Sequence, residues 1–365
     1  MTEISDLFEP AKLGAIHLSN RIIMAPLTRS RAGKAGIHGP MNAEYYSQRA
    51  TAGLIIAEAS NVSLQAKANA FTPGCYTPEQ EAGWRLVTDA VHAAGGKITL
   101  QLLHAGRLGH PDMQPGHALP VAPSAVKADG DAFTENGFKP YVTPRALETD
   151  EIAGIVREHA DAAAGAKRAG FDGVEIHAAN GYLLDQFIRD GTNHRVDGYG
   201  GSRSNRLRLT LEVMEAVASV WSGDRVGIRL SPLTNRVGGI PLDSDPMGTY
   251  GELVERLNGL DLAYLHCIEG VTQGDRAEPA GFSFQNLRTA FKGSYVANNG
   301  YTREMALKAR REGTADFVCF GRPFLSNPDF VERLRRDAPL NADDKDNWYG
   351  GDARGYTDFP TLDAD

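Results

Sequence analysis

KITLQLLH at residues 97–104, GVEIHAANGY at 173–182 and VGIRLSP at 226–232 decide the fold. Each holds a short apolar run with β-branched residues, too brief for a buried helix. Working outward, five further runs of the same kind occur: IIMAPL (22–27), GLIIAEA (53–59), LAYLHCIE (262–269), YVANNG (295–300) and FVCFGRP (317–323). A helical stretch follows each, which is the alternation of a parallel sheet. Eight such units close most simply into a (β/α)8 TIM barrel, a single domain over residues 1–365. A doubly wound open sheet is the alternative.

Helix punctuation supports these intervals. Thr77-Pro78-Glu79-Gln80 predicts a capped start with Gln80 completing a capping box, and Gly95-Gly96 ends that helix. Thr149 opens the next, with Asp150 and Glu151 favourable at the positive end of the dipole. Ile152, Ile155, Val156, Ala163 and Ala166 make its apolar face and Gly170 stops it. Thr302 and Gly313 bracket a shorter helix in the same way. Residues 107–145 fit neither period and contain six prolines and four glycines. Because they follow the third strand, they are expected to form an insertion over the barrel mouth. The first 20 residues are expected to form a small hairpin closing the opposite end.

Composition narrows the function. A chain of 365 residues, 42% hydrophobic and 23% charged, buries a large core. Its net charge of −8 and lack of basic runs make nucleic acid and anionic membranes poor partners. The start, MTEISDLFEP, is acidic where a signal peptide is basic, so a cytoplasmic location is expected. Cys75, Cys267 and Cys319 are far apart and lack metal-ligand spacing; they read as buried small hydrophobes. His104, Arg107, His110 and His117 match no compact metal motif either, and no metal site is expected.

In a closed parallel barrel alternate strand residues face the axis, and those at the carboxyl ends reach the catalytic mouth. Thr99, Gln101 and Leu103 share one parity, as do Glu175 and His177, and Gly227, Arg229 and Ser231. Three adjacent strands therefore turn polar groups inward. Burying them costs several kcal/mol unless they are satisfied. Two arrangements do that: a polar ligand, or an internal network in which Arg229 pairs with Glu175 or Glu58. In HAANGY, His177 and Asn180 can both donate to one oxygen, and Tyr182 is a weak acid able to protonate a basic carbon. The last two strands end in Asn299-Gly300 and Gly321-Arg322. Glycines there let backbone amides approach a phosphate, and Arg322 supplies charge. Tyr199-Gly200-Gly201-Ser202, with Asn205 and Arg206, reads as a turn into a capped helix that braces neighbouring loops.

Together these stretches resemble the old yellow enzyme family of flavin-dependent ene-reductases, in particular its N-ethylmaleimide, morphinone and nitrate-ester reductase branch. The similarity runs in order through NRIIMAPLTR (20–29), EYYSQRA, GLIIAEAS, QLLHAGR, HAANGYLLDQF, DGYGGSRSNR, GIRLSP, FGRPFLSNPDF, NWYGG and GYTDFP, nearly the whole chain. The resemblance implies FMN, tightly but non-covalently bound at the barrel mouth, with NADPH or NADH as reductant. By motif position Thr28 would bond the flavin O4, Ala59 would give backbone contact, and Gln101 would engage the pyrimidine edge. Arg229 would lie near N1 and O2, and Asn299, Gly300, Gly321 and Arg322 would hold the phosphate. His177 and Asn180 would grip the carbonyl of an enone or enal while hydride from N5 enters the β-carbon. Tyr182 would protonate the α-carbon. Leu103 and Tyr349 would line the substrate pocket. Nitro compounds and nitrate esters are further expected acceptors, and a monomer or homodimer is the expected assembly.

Two features set the chain apart within that family. Leu103 stands where many relatives carry Trp, which implies a wider pocket on that side. The donor pair, His177 with Asn180, is His with Asn rather than the His with His of several bacterial relatives, while Thr28, where another branch carries Cys, implies the classical branch. Two other functions are open to a barrel with these residues: a cofactor-independent lyase or isomerase on a phosphorylated substrate, and a flavin-binding protein without turnover. The first lacks a Schiff-base lysine at a strand end, since Lys97 begins its strand. The second requires His177 and Tyr182 to be dispensable.

Overall fold

The computed structural model describes residues 6–362; residues 1–5, at the start of the expected hairpin segment, lie outside them. All eight expected runs form strands: β1 (Ile22–Met24), β2 (Leu54–Asn61), β3 (Ile98–Leu103), β4 (Gly173–Ala178), β5 (Val226–Leu230), β6 (Tyr264–Ile268), β7 (Ser294–Asn298) and β8 (Phe317–Phe320). They pair in chain order, all parallel, and β8 closes on β1 through Val318 opposite Ile22 and Phe320 opposite Met24. The open sheet is thereby excluded.

Side chains sort by parity. Ile22, Ile55, Leu100, Ile176, Ile228, Leu265 and Val318 face outward into the core shared with the helices. Ile23, Leu54, Ile56, Tyr264, Val296 and Phe317 face inward. They pack on Leu13, Ile16 and Leu18 of an antiparallel hairpin, Ala11–Leu13 with Ile16–Leu18, which seals the amino-terminal end of the barrel. The polar layers therefore lie toward the other end, above an apolar plug.

The outer helices are α1 (Pro40–Ser47), α2 (Pro78–Ala93), α3 (Ile152–Arg168), the short α4 (Leu183–Ile188), α5 (Arg203–Trp221), α6 (Pro246–Leu257), α7 (Phe284–Ala290), α8 (Arg303–Glu312), the single turn α9 (Pro323–Ser326) and α10 (Phe330–Arg336). None is long and apolar enough to cross a membrane. Thr77, Ser202 and Thr302 cap α2, α5 and α8 as their sequences predict. Two caps differ. Gln80 does not close a box with Thr77; its Oε1 accepts the Tyr76 N–H and its Nε2 reaches the Ala35 carbonyl, tying α2 to the loop after β1. Thr149 gives its hydroxyl to Asp197, and Glu151 instead reaches back to the Glu148 N–H.

After β3, residues 107–145 run through short helical turns and a hairpin, Asp131–Thr134 paired with Gly137–Pro140. The Phe133 carbonyl accepts the Ala70 N–H, and Glu135 meets Lys34 and Lys67. The segment thus rests on the loops that follow β1 and β2.

Candidate active site

Register stacks the inward polar residues of β3 to β6 at two successive levels. Gln101 pairs opposite Glu175, His177 opposite Arg229, and Arg229 opposite His266. Glu175 lies at the centre, accepting from Gln101 Nε2 at 2.7 Å and meeting His266 Nδ1 at 2.8 Å. The internal network is therefore real but does not include the expected Arg229 pairs. Arg229 Nη2 donates to Asn298 Oδ1 at 3.0 Å, and Asn298 in turn donates to the Cys319 carbonyl. Glu58 is turned away by a bulge in β2: Ala57 pairs with Leu100 and Ser60 with Leu102, so one extra residue reverses the alternation. Its carboxylate accepts the Arg29 N–H and the Tyr46 hydroxyl outside the barrel axis.

The network leaves Arg229 incomplete. Its Nε is buried without a partner, although the residue is only 8% exposed, and Glu175 acts on it through space alone. A buried guanidinium with an unanswered N–H calls for an acceptor the protein does not supply.

His177, level with Arg229, is followed toward the barrel mouth by Asn180 and Tyr182. The Ala179 N–H points at His177 Nδ1, 3.3 Å away, so Nδ1 carries the lone pair and the proton sits on Nε2. Burial first, then Arg229 and His266, hold the imidazolium pKa well below its ordinary value. His177 is thus a neutral donor. Asn180 adopts φ 55°, its N–H bound to Ser231 Oγ at 2.7 Å, and its Oδ1 accepts from Thr272 Oγ1 at 2.8 Å. Nδ2 remains without a protein partner. The Tyr182 ring stands edge-on to His177 at 4.9 Å. Burial, with Tyr141 and Tyr349 adding, raises its pKa, so the phenol keeps its proton at any physiological pH.

From Asn180 and Arg229 a cavity of about 490 Å3 extends past Asn298 to Gly300, Gly321 and Arg322. Gly300 has φ 64°, and a Cβ there would meet no atom within 4 Å, so its backbone faces open space. Arg322 is exposed, its guanidinium carbon 5.9 Å from the centre of the Trp348 ring, and its N–H groups have no hydrogen-bond partner among the described residues. Asn299 differs from its neighbours: its amide holds the Glu269 and Val271 carbonyls and accepts the Gln273 N–H, so the side chain shapes the loop after β6.

The remaining expected residues are not among those that line this cavity. Thr28 is half-buried with its hydroxyl free, and Ala59 follows Glu58 in the bulge. Leu103 packs with Ala59, Ala68, Ala105 and Tyr182. Tyr349 is 60% exposed and lies at the rim, held there because Arg29 and Arg31 grip the carbonyls of Asn347 and Trp348. Sequence reasoning missed Asn298, Thr234, Thr272 and His266. His266 and Asn298 carried a signal, as they share the inward parity of Tyr264 and Val296.

The family described as NADH:flavin oxidoreductase / NADH oxidase matches residues 6–341. The chain is 42% identical to 12-oxophytodienoate reductase 7 of Oryza sativa subsp. japonica over 98% of its own length and 94% of that protein's. It is 41% identical to 12-oxophytodienoate reductase 2 of Arabidopsis thaliana, over 98% and 96%. Among solved structures, morphinone reductase superposes with a TM-score of 0.94 at 49% identity, covering 99% of this chain and 97% of that one. The old yellow enzyme homologue from Zymomonas mobilis gives 0.93 at 43%, covering 98% and 100%.

The chain belongs to the old yellow enzyme family. Like its relatives it is an NAD(P)H-dependent flavin oxidoreductase, which sets aside both the cofactor-independent isomerase and the binding protein without turnover. The cavity suits the family's FMN on independent grounds. An unanswered Arg229 Nε lies at one end, where a flavin presents ring acceptors. Open glycine backbone and the uncommitted Arg322 lie at the other, where a phosphate needs N–H groups and charge.

Proposed function

We propose that this old yellow enzyme reduces the C=C bond of α,β-unsaturated ketones and aldehydes, with nitro compounds and nitrate esters as further acceptors. One observation carries the reading: two neutral donors of fixed polarity, His177 Nε2 and Asn180 Nδ2, stand free at the end of β4 beside the layer containing Arg229. A pair of donors selects a substrate that presents an acceptor oxygen.

FMN, when bound, would supply hydride to the β-carbon. Thr28, Ala59, Gln101 and Arg229 would hold its ring, and the backbone of Asn299, Gly300 and Gly321 with Arg322 its phosphate. His177 and Asn180 bind the substrate oxygen and stabilise the negative charge that gathers there as the alkene is reduced. Because both donors are set in advance, they favour the charged transition state over the neutral ground state. Tyr182, kept protonated by burial, gives its proton to the α-carbon, whose basicity in an enolate exceeds that of phenolate. Leu103, packed with Ala59, Ala68 and Tyr182, would accept bulkier β-substituents than the Trp of many relatives. NADPH or NADH would occupy the same face before the alkene, giving ping-pong kinetics. Three buried, unpaired cysteines support a cytoplasmic setting.

The test is anaerobic. Purified protein loaded with FMN should be bleached by NADPH or NADH, and 2-cyclohexenone should then restore the oxidised spectrum. A preparation that is bleached yet is not reoxidised by any enone contradicts the proposed substrate class.

A further inference from the structure

We propose that Thr234 and Thr272 form a hydroxyl relay that fixes the polarity of the Asn180 carboxamide, making it an obligate donor to substrate. This rests on the reading of Asn180 as a ligand of the substrate oxygen. A carboxamide can be turned end for end with little change in shape, presenting either NH2 or C=O to the cavity. The backbone of Asn180 is anchored by Ser231, but that leaves the amide free to flip. Its orientation is decided at the far end.

Thr272 Oγ1 lies 2.8 Å from Asn180 Oδ1 and 2.6 Å from Thr234 Oγ1. Thr234 Oγ1 also accepts the Thr272 N–H at 2.8 Å. Thr234 is fully buried, and among the described residues its hydroxyl hydrogen has Thr272 Oγ1 as its acceptor. That hydrogen therefore points to Thr272. Thr272 then has its own hydrogen to give, and Asn180 Oδ1, 2.8 Å away, is the acceptor that takes it. Reversing the amide would leave Thr272 Oγ1 accepting from both neighbours with its own hydrogen turned away from either, a lost hydrogen bond worth about tenfold in population. Nδ2 is left facing the cavity, which Asn180 and Thr272 both line. Both threonines are positioning residues. They make the site select acceptor oxygens over hydroxyl donors of the same shape.

The experiment uses FMN-loaded protein titrated with cyclohexanone, which has no alkene to reduce, followed by the visible spectrum of the oxidised flavin. Thr272→Val should raise the ketone Kd about tenfold, Thr272→Ser should restore it to within about twofold, and Thr234→Val should weaken binding in the same direction. In an Asn180→Ala background Thr272→Val should change nothing further, because the relay acts only through that amide. Should Thr272→Val not fold, Thr234→Val in both backgrounds carries the same comparison. An unchanged Kd in both valine variants, or an equal loss with and without Asn180, overturns the relay alone. Wild-type protein that holds FMN but binds neither cyclohexanone nor 2-cyclohexenone overturns the functional reading, and the relay with it.

Discussion

Replacing Glu58 with Gln should flatten the dependence of stability on pH between 5 and 8. Glu58 is fully buried; its oxygens accept the Arg29 N–H at 3.0 Å and the Tyr46 hydroxyl at 3.3 Å. His38 Nε2 is 3.6 Å away but offers no charge, because burial pushes its pKa down to about 3. Burial raises the Glu58 carboxyl from 4.5 to about 7, against the opposing pull of the Arg29 N–H and guanidinium. Between those values the folded protein keeps a proton that the unfolded chain has released. Stability is therefore full below pH 4.5 and falls as pH rises through 7. A shift of that size corresponds to about 3 kcal/mol. With an unfolding entropy near 2.1 cal/mol/K per residue, a chain of this length loses about 4 °C in Tm. Gln places an NH2 against one of two donors, but that penalty is the same at both pH values and cancels in the comparison. Calorimetric Tm values at pH 5 and pH 8 should show wild type dropping about 4 °C further than Glu58→Gln. Parallel curves would refute the reasoning.

Tyr182→Phe should slow reoxidation by 2-cyclohexenone about 100-fold in stopped flow while bleaching by nicotinamide keeps its rate; equal losses in both steps would remove Tyr182 as proton donor. Leu103→Trp puts an indole against Ala59, Ala68 and Tyr182, and should alter the product stereochemistry of bulky enones by chiral chromatography. Unchanged enantiomer ratios across a panel would show that this wall does not orient substrate. Arg322→Gln removes a free cation at the phosphate end and should raise the FMN Kd about tenfold, read from the fluorescence of released flavin. A Kd that matches wild type at both low and high salt would take Arg322 out of phosphate binding.

The barrel was legible because each strand is a brief apolar run followed by a helix, and closure needs nothing beyond that alternation. Inward parity was equally legible where strands are regular: Gln101 and Glu175 pair at one level, His177 and Arg229 at the next. It failed at Glu58, since a bulge is a one-residue event that leaves no mark in a period of two. Thr234 and Thr272 were invisible for another reason. They lie on loops after β5 and β6, where no period operates, and 38 residues separate hydroxyls only 2.6 Å apart. Asn299 was read for the glycine beside it and Asn298 was not read at all, yet these neighbouring amides do different work: Asn298 steadies Arg229 and Asn299 shapes a loop.

The central claim is that His177 and Asn180 donate together to one substrate oxygen. Infrared difference spectra of carbonyl-13C-labelled 2-cyclohexenone bound to the oxidised, FMN-loaded protein test it most directly. The C=O stretch should lie below its position in water, and His177→Ala or Asn180→Ala should each recover part of that displacement. A bound carbonyl at or above its aqueous frequency, unmoved by either substitution, would contradict the account.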